Sequence, residues 1–236
     1  MKGQSMGNER ELGTVYVTGG ASGLGAAVVE AVSKAGGTPA VIDLVAPAPG
    51  VAHVEADLSD SRAAAAAVEQ LVALVGPPSA VVTAAGTDAC GALADVPVET
   101  WERVVAVNLL GTAAVVRAAL PHLRARRGTV VTVASTLGLR AAGDATAYCA
   151  SKFGVVGFTR ALAMELAGEV GVTLLVPGGM STAFFDGRPE QYRPGPDAQL
   201  NDPADVAQTV LMALRQPVGC EVRELVVTAS TEPSWP

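Results

Sequence analysis

Short apolar segments rich in β-branched residues alternate with segments of helical periodicity along nearly all of the 236 residues. Seven segments have the strand pattern, and most of them are apolar throughout instead of alternating between apolar and polar positions. Strands buried on both faces have this composition, and regular alternation with helices is typical of a parallel sheet covered on both sides. The pattern therefore predicts the α/β class: a single-domain, doubly wound parallel sheet (a Rossmann fold) with helices on both faces.

Glycine, proline and capping residues set the predicted boundaries of these elements. Strands are predicted at 13–20, 38–44, 50–57, 79–86, 128–135, 171–179 and 221–228. Helices are predicted at 24–36, 61–76, 96–126, 145–168 and 202–216. We expect 1–12 to be a flexible N-terminal segment and 13–236 to be a single Rossmann-fold domain. The irregular segment 180–201 is a candidate substrate lid, because loops of this length are usually functional or mobile.

The charge and composition narrow the class of partner. A net charge of −7 argues against nucleic acid and anionic membranes as partners. The polar start has no secretion signal, and no uncharged apolar run reaches the ~18 residues of a membrane span. Three cysteines without CxxC spacing favour free, buried thiols in a reducing compartment, and two histidines without clustered ligands make a metal site unexpected. We therefore expect a cytoplasmic protein that acts on a small molecule.

A glycine-rich turn joins the first strand to its helix in "TGGASGLG", residues 18–25. Glycines at 19, 23 and 25 allow a tight turn and let a pyrophosphate approach the N-terminus of the helix. Asp43 closes the second strand, where an acid binds a ribose 2′-hydroxyl and repels a 2′-phosphate. No Arg or Lys lies within the turn or directly after Asp43. These features predict NAD(H) over NADP(H), with a plain turn and a capping aspartate as the alternatives.

Several segments together carry a resemblance to the short-chain dehydrogenase/reductase family. They are "TGGASGLG", "TAAG" at 83–86, Asn108, Ser135, "YCASK" at 148–152 and "PGGMST" at 177–182, in the order and spacing of that family. The match runs from about 13 to 228 and implies an oxidoreductase acting on a secondary alcohol or ketone. It also implies these cofactor-binding residues: Gly19, Ser22, Gly23, Leu24, Gly25, Asp43, Asp57, Leu58, Ala84, Ala85, Gly86, Tyr148, Lys152, Pro177, Gly178, Met180 and Thr182.

The resemblance also implies four catalytic residues: Asn108, Ser135, Tyr148 and Lys152. Tyr148 would be the general acid for ketone reduction and the base for alcohol oxidation, although an unperturbed tyrosine has a pKa of ~10. Lys152 lies one helical turn later and would lower that pKa while binding the nicotinamide ribose. Ser135 would orient the substrate oxygen, and Asn108 would hold a water in a proton relay. From the residues alone, Asn108 as a satisfied core amide and Ser135 as a backbone-bonded hydroxyl remain open.

The chain departs from the family at Thr83 and Ala84, where two asparagines are common, and this puts the local bracing of the cofactor loop in doubt. An NADP(H)-dependent 3-oxoacyl-carrier-protein reductase and a catalytically silent dinucleotide-binding module remain as alternatives. The helices at 96–126 and 145–168 would form an interface in a homodimer or homotetramer. The substrate is not identified, although the loop 87–96 and the lid would shape its pocket. The lid aromatics Phe184, Phe185 and Tyr192 would either supply apolar walls or only anchor the lid.

Overall fold

The computed structural model describes residues 9–235, which form one seven-stranded sheet. The strands are β1 (Thr14–Thr18), β2 (Thr38–Asp43), β3 (Ala52–Glu55), β4 (Ala80–Thr83), β5 (Thr129–Val133), β6 (Gly171–Pro177) and β7 (Glu224–Val227). Their order is β3-β2-β1-β4-β5-β6-β7, and every neighbouring pair is parallel. The chain order reverses between β1 and β4, which is where open parallel sheets bind ligands at their carboxyl ends. The predicted doubly wound fold is confirmed.

Six helices cover the two faces of the sheet. They are α1 (Gly23–Lys34), α2 (Ser61–Val75), α3 (Val98–Val105), α4 (Thr112–Arg126), α5 (Thr146–Glu165) and α6 (Pro203–Leu214). α1 and α6 pack together on one face, and α2, α4 and α5 cover the other. Because successive strand residues point to opposite faces, Val15 and Val17 belong to the core under α1 and α6, whereas Tyr16 lies under α2 and α4.

The predicted helix 96–126 is one continuous helix with an irregular centre. A π-helical segment, Ala106–Gly111, joins α3 to α4. Pro97 occupies the N-cap position instead of the first turn. Wide turns of this kind occur frequently at functional sites, and this one carries Asn108. The widened turn cannot be read from apolar periodicity, because the residues on either side of it keep the helical pattern.

By length and composition, the helix Val98–Arg126 could also cross a membrane. This is weak evidence, since the core helix of a soluble protein has the same length and composition. Here Val115, Ala119 and Leu123 are fully buried beneath the sheet.

The structure refines the expectations for the termini and the cysteines. Most of the segment 1–12 lies outside the described residues, but the backbone amide of Arg10 donates to the Arg215 carbonyl and Leu12 is buried in the core. All three cysteines are free. Only Cys149 is buried; Cys90 is half-buried and Cys220 is exposed, so the expectation of buried thiols is wrong for Cys220. Cys220 lies in the exposed connection that precedes the last strand.

Candidate active site

The carboxyl ends of the central strands open into one cavity of about 1020 Å³. This volume is at the upper end of the range for ligand sites, so the cavity has room for an extended ligand. All of the predicted catalytic and cofactor-binding residues line it except Gly25 and Asn108. These two lie directly behind the lining. The structure therefore brings together positions that are up to 163 residues apart in sequence, from Gly19 to Thr182.

The glycine turn forms one end of the cavity and leaves the start of α1 open to it. Gly19 and Gly23 have φ angles of 70° and 52°, which only glycine adopts readily. A Cβ on Gly25 would collide with the carbonyl oxygen of Gly19. Among the described residues, no side chain caps α1 at its N-cap Ser22, whereas aspartates cap α2 and α6. The first-turn N–H groups are thus available to an anion, which fits the pyrophosphate of a dinucleotide.

Asp43 stands beside this turn at the end of β2. One carboxylate oxygen accepts a hydrogen bond from the Ala21 amide at 3.0 Å, and the other accepts from the Val45 amide at 3.2 Å. The capping role left open by the sequence is therefore real, but it uses only part of the acceptor capacity of a carboxylate. Because Asp43 also lines the cavity, its remaining lone pairs can accept from ribose hydroxyls.

Arg103 is a cation at this end of the cavity that sequence reasoning missed. Its guanidinium donates to both carboxylate oxygens of Asp57, at 3.1 and 3.3 Å. Hydrogen bonds from the Ser59 amide and from Arg103 hold the pKa of Asp57 below its ordinary value, the amide being the larger cause. The sequence analysis searched for cations only near the glycine turn, and Arg103 reaches the site from α3.

The predicted catalytic side chains meet at the opposite end of the cavity. Tyr148 and Lys152 lie on one face of α5, with the Lys152 ammonium 5.5 Å from the centre of the Tyr148 ring. The ammonium is buried and donates to the Val133 carbonyl at 2.9 Å. Ser135 accepts from the Leu137 amide at 3.1 Å, and its hydroxyl lies close enough to the Tyr148 hydroxyl to act on the pKa of that phenol. Ser135 therefore makes the backbone contact that the sequence left open, and it also contacts the phenol.

Burial is the largest cause of the pKa shifts of Tyr148 and Lys152. It raises the pKa of Tyr148 above its ordinary value of 10.0, although the hydrogen bond with Ser135 acts in the opposite direction. Burial also lowers the pKa of Lys152 from 10.5 to about 8. The pKa of Tyr148 is thus raised, whereas a lowered value was expected; Ser135 and Arg188 act to lower it, and they do not offset the desolvation of the phenol.

Residues 13–193 match the profile of a family described as short chain dehydrogenase. The chain belongs to this family. Its members use nicotinamide dinucleotide cofactors, so the chain is an oxidoreductase that acts on CH–OH groups of a small molecule. The glycine turn and the open start of α1 fit that class of cofactor, and the family named on sequence motifs is confirmed.

Three relatives illustrate the range of the family. The 2-dehydro-3-deoxy-L-rhamnonate dehydrogenase (NAD(+)) of Sphingomonas sp. (strain SKA58) is 36% identical over 74% of this chain and 74% of its own. The human (3R)-3-hydroxyacyl-CoA dehydrogenase is 34% identical over 82% of this chain and 85% of its own. Glycine betaine reductase ATRR of Emericella nidulans is 30% identical over 92% of this chain, which spans only 19% of that much longer protein.

A solved structure supports the fold. It is described as an alcohol dehydrogenase from the archaeon Thermococcus sibiricus complexed with 5-hydroxy-NADP. The two chains superpose with a TM-score of 0.79 over 91% of this chain and 96% of the other, at 22% sequence identity.

Asn108 of this dehydrogenase braces the loop that follows β4. Its side-chain amide donates to the Thr87 carbonyl at 2.9 Å and to the Ser151 hydroxyl at 3.0 Å. Its carbonyl oxygen accepts from the Thr87 amide at 2.8 Å. With these hydrogen bonds, Asn108 is a core amide with its partners satisfied, which was one of the two interpretations left open by the sequence. One acceptor site of the Asn108 oxygen remains beside Gly86, so a relay role stays a prediction.

The substituted "TAAG" segment is held by another strand. The Ala84 amide donates to the Thr18 carbonyl and the Ala85 amide to the Thr18 hydroxyl, each at 3.2 Å. The Thr83 hydroxyl is buried without a partner among residues 9–235. β1 therefore supplies bracing to this loop, while Thr83 contributes none through its hydroxyl.

The lid and the C-terminal tail complete the walls of the dehydrogenase site. The lid segment 180–201 contains two short 3₁₀ turns, Ala183–Phe185 and Glu190–Tyr192. Phe184 stacks obliquely on Tyr148 with ring centres 5.7 Å apart, as the predicted apolar wall requires. Tyr192 lines the cavity and also anchors the lid, since its hydroxyl donates to Asp144 at 3.0 Å.

The tail was missed by sequence reasoning, which ended at the last strand. One oxygen of Glu232 accepts from the Gly179 amide at 2.9 Å, and Ser234 shares a 2.7 Å hydrogen bond with Thr136. Burial acts to raise the pKa of Glu232, but hydrogen bonds from Ser234 and Gly179 outweigh it and hold that pKa below its ordinary value. The tail thus closes the cavity beside β6. Its polar composition carries no signal for this role.

Proposed function

We propose that this chain is an NAD(H)-dependent dehydrogenase/reductase that interconverts a secondary alcohol and a ketone. The observation that carries the proposal is one cavity with the glycine turn and Asp43 at one end and Ser135, Tyr148 and Lys152 at the other. The bound dinucleotide supplies the hydride for reduction or accepts it in oxidation. In reduction, the ketone carbon would gain the hydride and its oxygen would take the proton of Tyr148; oxidation is the reverse and begins with the phenol deprotonated.

The side chains divide the proton chemistry between them. Because burial raises the pKa of Tyr148, its phenol is protonated at neutral pH and can give its proton to a ketone oxygen. Ser135 lies beside the same hydroxyl and can orient the substrate oxygen there. Lys152 donates one N–H to the Val133 carbonyl, and its two remaining N–H donors are available to a ribose and to the phenol oxygen.

Charge supports NAD(H) as the cofactor of this site. A 2′-phosphate near Asp43 would meet a carboxylate held between two backbone amides. Arg103 lies at the same end, but its two contacts with Asp57 leave it largely neutralised. The NADP(H)-dependent reductase alternative requires a free cation there, and the described residues at this end of the cavity supply no other Arg or Lys.

We expect the protein to bind NADH about 100-fold more tightly than NADPH, because bringing a phosphate against Asp43 costs several kcal/mol at partly exposed sites. Titrations followed by nicotinamide fluorescence measure both Kd values. Asp43→Asn should reduce the preference to less than about tenfold. The exposed variant Asp205→Asn, on α6, serves as a control and should leave it unchanged. An equal or reversed preference in the unmodified protein would exclude the NAD(H) assignment.

We also expect a homodimer or homotetramer at micromolar concentration, measured by light scattering after gel filtration. Phe153 and Met164 are exposed by 44% and 81% on the outward face of α5, separated by Gly157 and Ala161, which allow close approach of another helix. Met164→Glu should shift the mass toward the monomer. Leu74→Glu, at an equally apolar exposed position on α2, should not. A monomeric unmodified protein would contradict the assembly.

A further inference from the structure

A buried ion pair joins the lid to the loop after β4 at the substrate end of the cavity. The Arg188 guanidinium donates to Asp88 at 2.7 Å, and the two side chains are only 16% and 9% exposed. The guanidinium carbon lies 4.8 Å from the Phe184 ring and 4.7 Å from the Phe185 ring. Two aromatic faces thus fix its orientation. Phe184 also contacts Tyr148, so Arg188 is one ring away from the proposed proton donor.

The donors and acceptors of this pair are unequally used. Asp88 accepts from the Ala89 amide, the Cys90 thiol and Arg188, which occupies most of the roughly four acceptor sites of a carboxylate. Arg188 has about five N–H donors, and it gives one to Asp88 and one, at 3.5 Å, to the Tyr192 carbonyl. Its Nε is buried without a partner among the described residues. The pair therefore offers a substrate several donors and few acceptors.

This imbalance selects among the polar groups that a substrate could present. A carboxylate only accepts hydrogen bonds and matches the planar guanidinium, whereas the hydroxyls of a polyol also need acceptors. Asp88 balances the charge of Arg188 before substrate enters, which makes a buried cation tolerable. The guanidinium can then contact a second carboxylate through its remaining donors without releasing Asp88.

We propose that Arg188 determines substrate specificity and that the substrate is a short hydroxy acid, or the matching oxo acid, whose carboxylate binds this guanidinium. The inference rests on the proposed alcohol–ketone chemistry. With the dinucleotide bound, reduction of the oxo acid would place a hydride on the carbonyl carbon and the proton of Tyr148 on its oxygen; oxidation of the hydroxy acid is the reverse and begins with the phenol deprotonated. The carboxylate on Arg188 is unchanged by the reaction. Because Phe184 contacts both Tyr148 and Arg188, we expect only a few carbons between the carboxylate and the reacting carbon.

The test compares acids with their own methyl esters. Racemic 2- and 3-hydroxy acids of three to six carbons, the corresponding methyl esters and simple secondary alcohols are assayed with NAD⁺ by nicotinamide absorbance. For the best acid we expect kcat/KM to exceed that of its ester by about 100-fold, since hydrogen bonds to charged groups are individually strong. Arg188→Met keeps the stem against the aromatic rings. It should lower kcat/KM for the acid by about 100-fold and for the ester by less than threefold.

Arg62→Met, which removes an exposed arginine on α2 outside the cavity lining, should preserve the ratio of acid to ester activity. Arg188→Lys, which keeps the charge, should retain part of the preference even where the methionine variant folds poorly. NADH titration of each variant shows whether the cofactor site is intact. An unmodified enzyme that turns over esters or neutral alcohols as well as acids would overturn the role of Arg188 and leave the proposed function standing. NADH binding without turnover of any compound would overturn both, and would favour the silent dinucleotide-binding module.

Discussion

Tyr148→Phe will lower kcat by about 10³-fold while leaving the Kd for NADH within about threefold of the unmodified protein. The substitution removes the hydroxyl that lies beside Ser135 at the catalytic end of the cavity. General acid–base catalysis by a positioned group contributes ~10²–10⁴-fold, which sets the expected loss. Steady-state assays with the best substrate and fluorescence titration with NADH give the two quantities.

The core tyrosine provides the matched control for this change. Tyr16 is fully buried and its hydroxyl donates to the Gly76 carbonyl at 2.7 Å, far from the cavity lining. Tyr16→Phe loses about 1 kcal/mol of stability with that hydrogen bond and should keep kcat unchanged. Turnover retained by Tyr148→Phe would remove Tyr148 from the mechanism, whatever the control shows.

Lys152→Met will lower kcat by at least about 100-fold but make the protein more stable at pH 7 in the absence of dinucleotide. Burial lowers the pKa of Lys152 to about 8 in the folded chain. This difference from the unfolded chain destabilises the fold by about 3 kcal/mol. The methionine variant avoids that penalty and loses about 1 kcal/mol with the hydrogen bond to Val133, so a net gain of about 2 kcal/mol is expected.

The stability gain of Lys152→Met should depend on pH, whereas a gain from better packing alone would not. Between about pH 8 and 10.5 the unfolded chain holds the Lys152 proton more tightly than the folded chain, so the unmodified protein gains stability as pH rises through this window. The advantage of Lys152→Met should therefore shrink between pH 7 and pH 9.5 in urea unfolding. Lys34→Met, at an exposed lysine on α1, should change stability by less than about 0.5 kcal/mol at either pH. A gain that does not change with pH would refute the burial penalty.

Local sequence patterns anticipated most of the site, because these residues act through positions close to one another in the chain. Tyr148 and Lys152 share a helical face by their spacing of four, and Gly19 to Gly25 form a turn from their own backbone preferences. Parallel strands place their carboxyl ends at one edge, so Asp43 and Ser135 could be assigned to the same cavity before any coordinates were known.

Contacts between distant segments could not be predicted from the sequence, because no pattern of neighbouring residues indicates them. Asp88 and Arg188 are 100 residues apart, and in the sequence each is a charged loop residue with no sign of its partner. Glu232 meets Gly179 for the same reason, through a tail with no regular structure. The protonation of Tyr148 and Lys152 also depends on how deeply the whole fold buries them, and this reversed the expected effect on the phenol.

The sequence by itself determined the doubly wound sheet, the family and the residues that meet at the two ends of the cavity. Each of these depends on periodicity, chirality and short spacing, which are properties of the chain over a few residues. Only the tertiary structure decided that Asp57 pairs with Arg103, that Asn108 braces Thr87 and Ser151, and that Arg188 pairs with Asp88. These depend on burial and on contacts across the fold, because desolvation and hydrogen-bond partners are set by neighbours that the chain brings together only when it is folded.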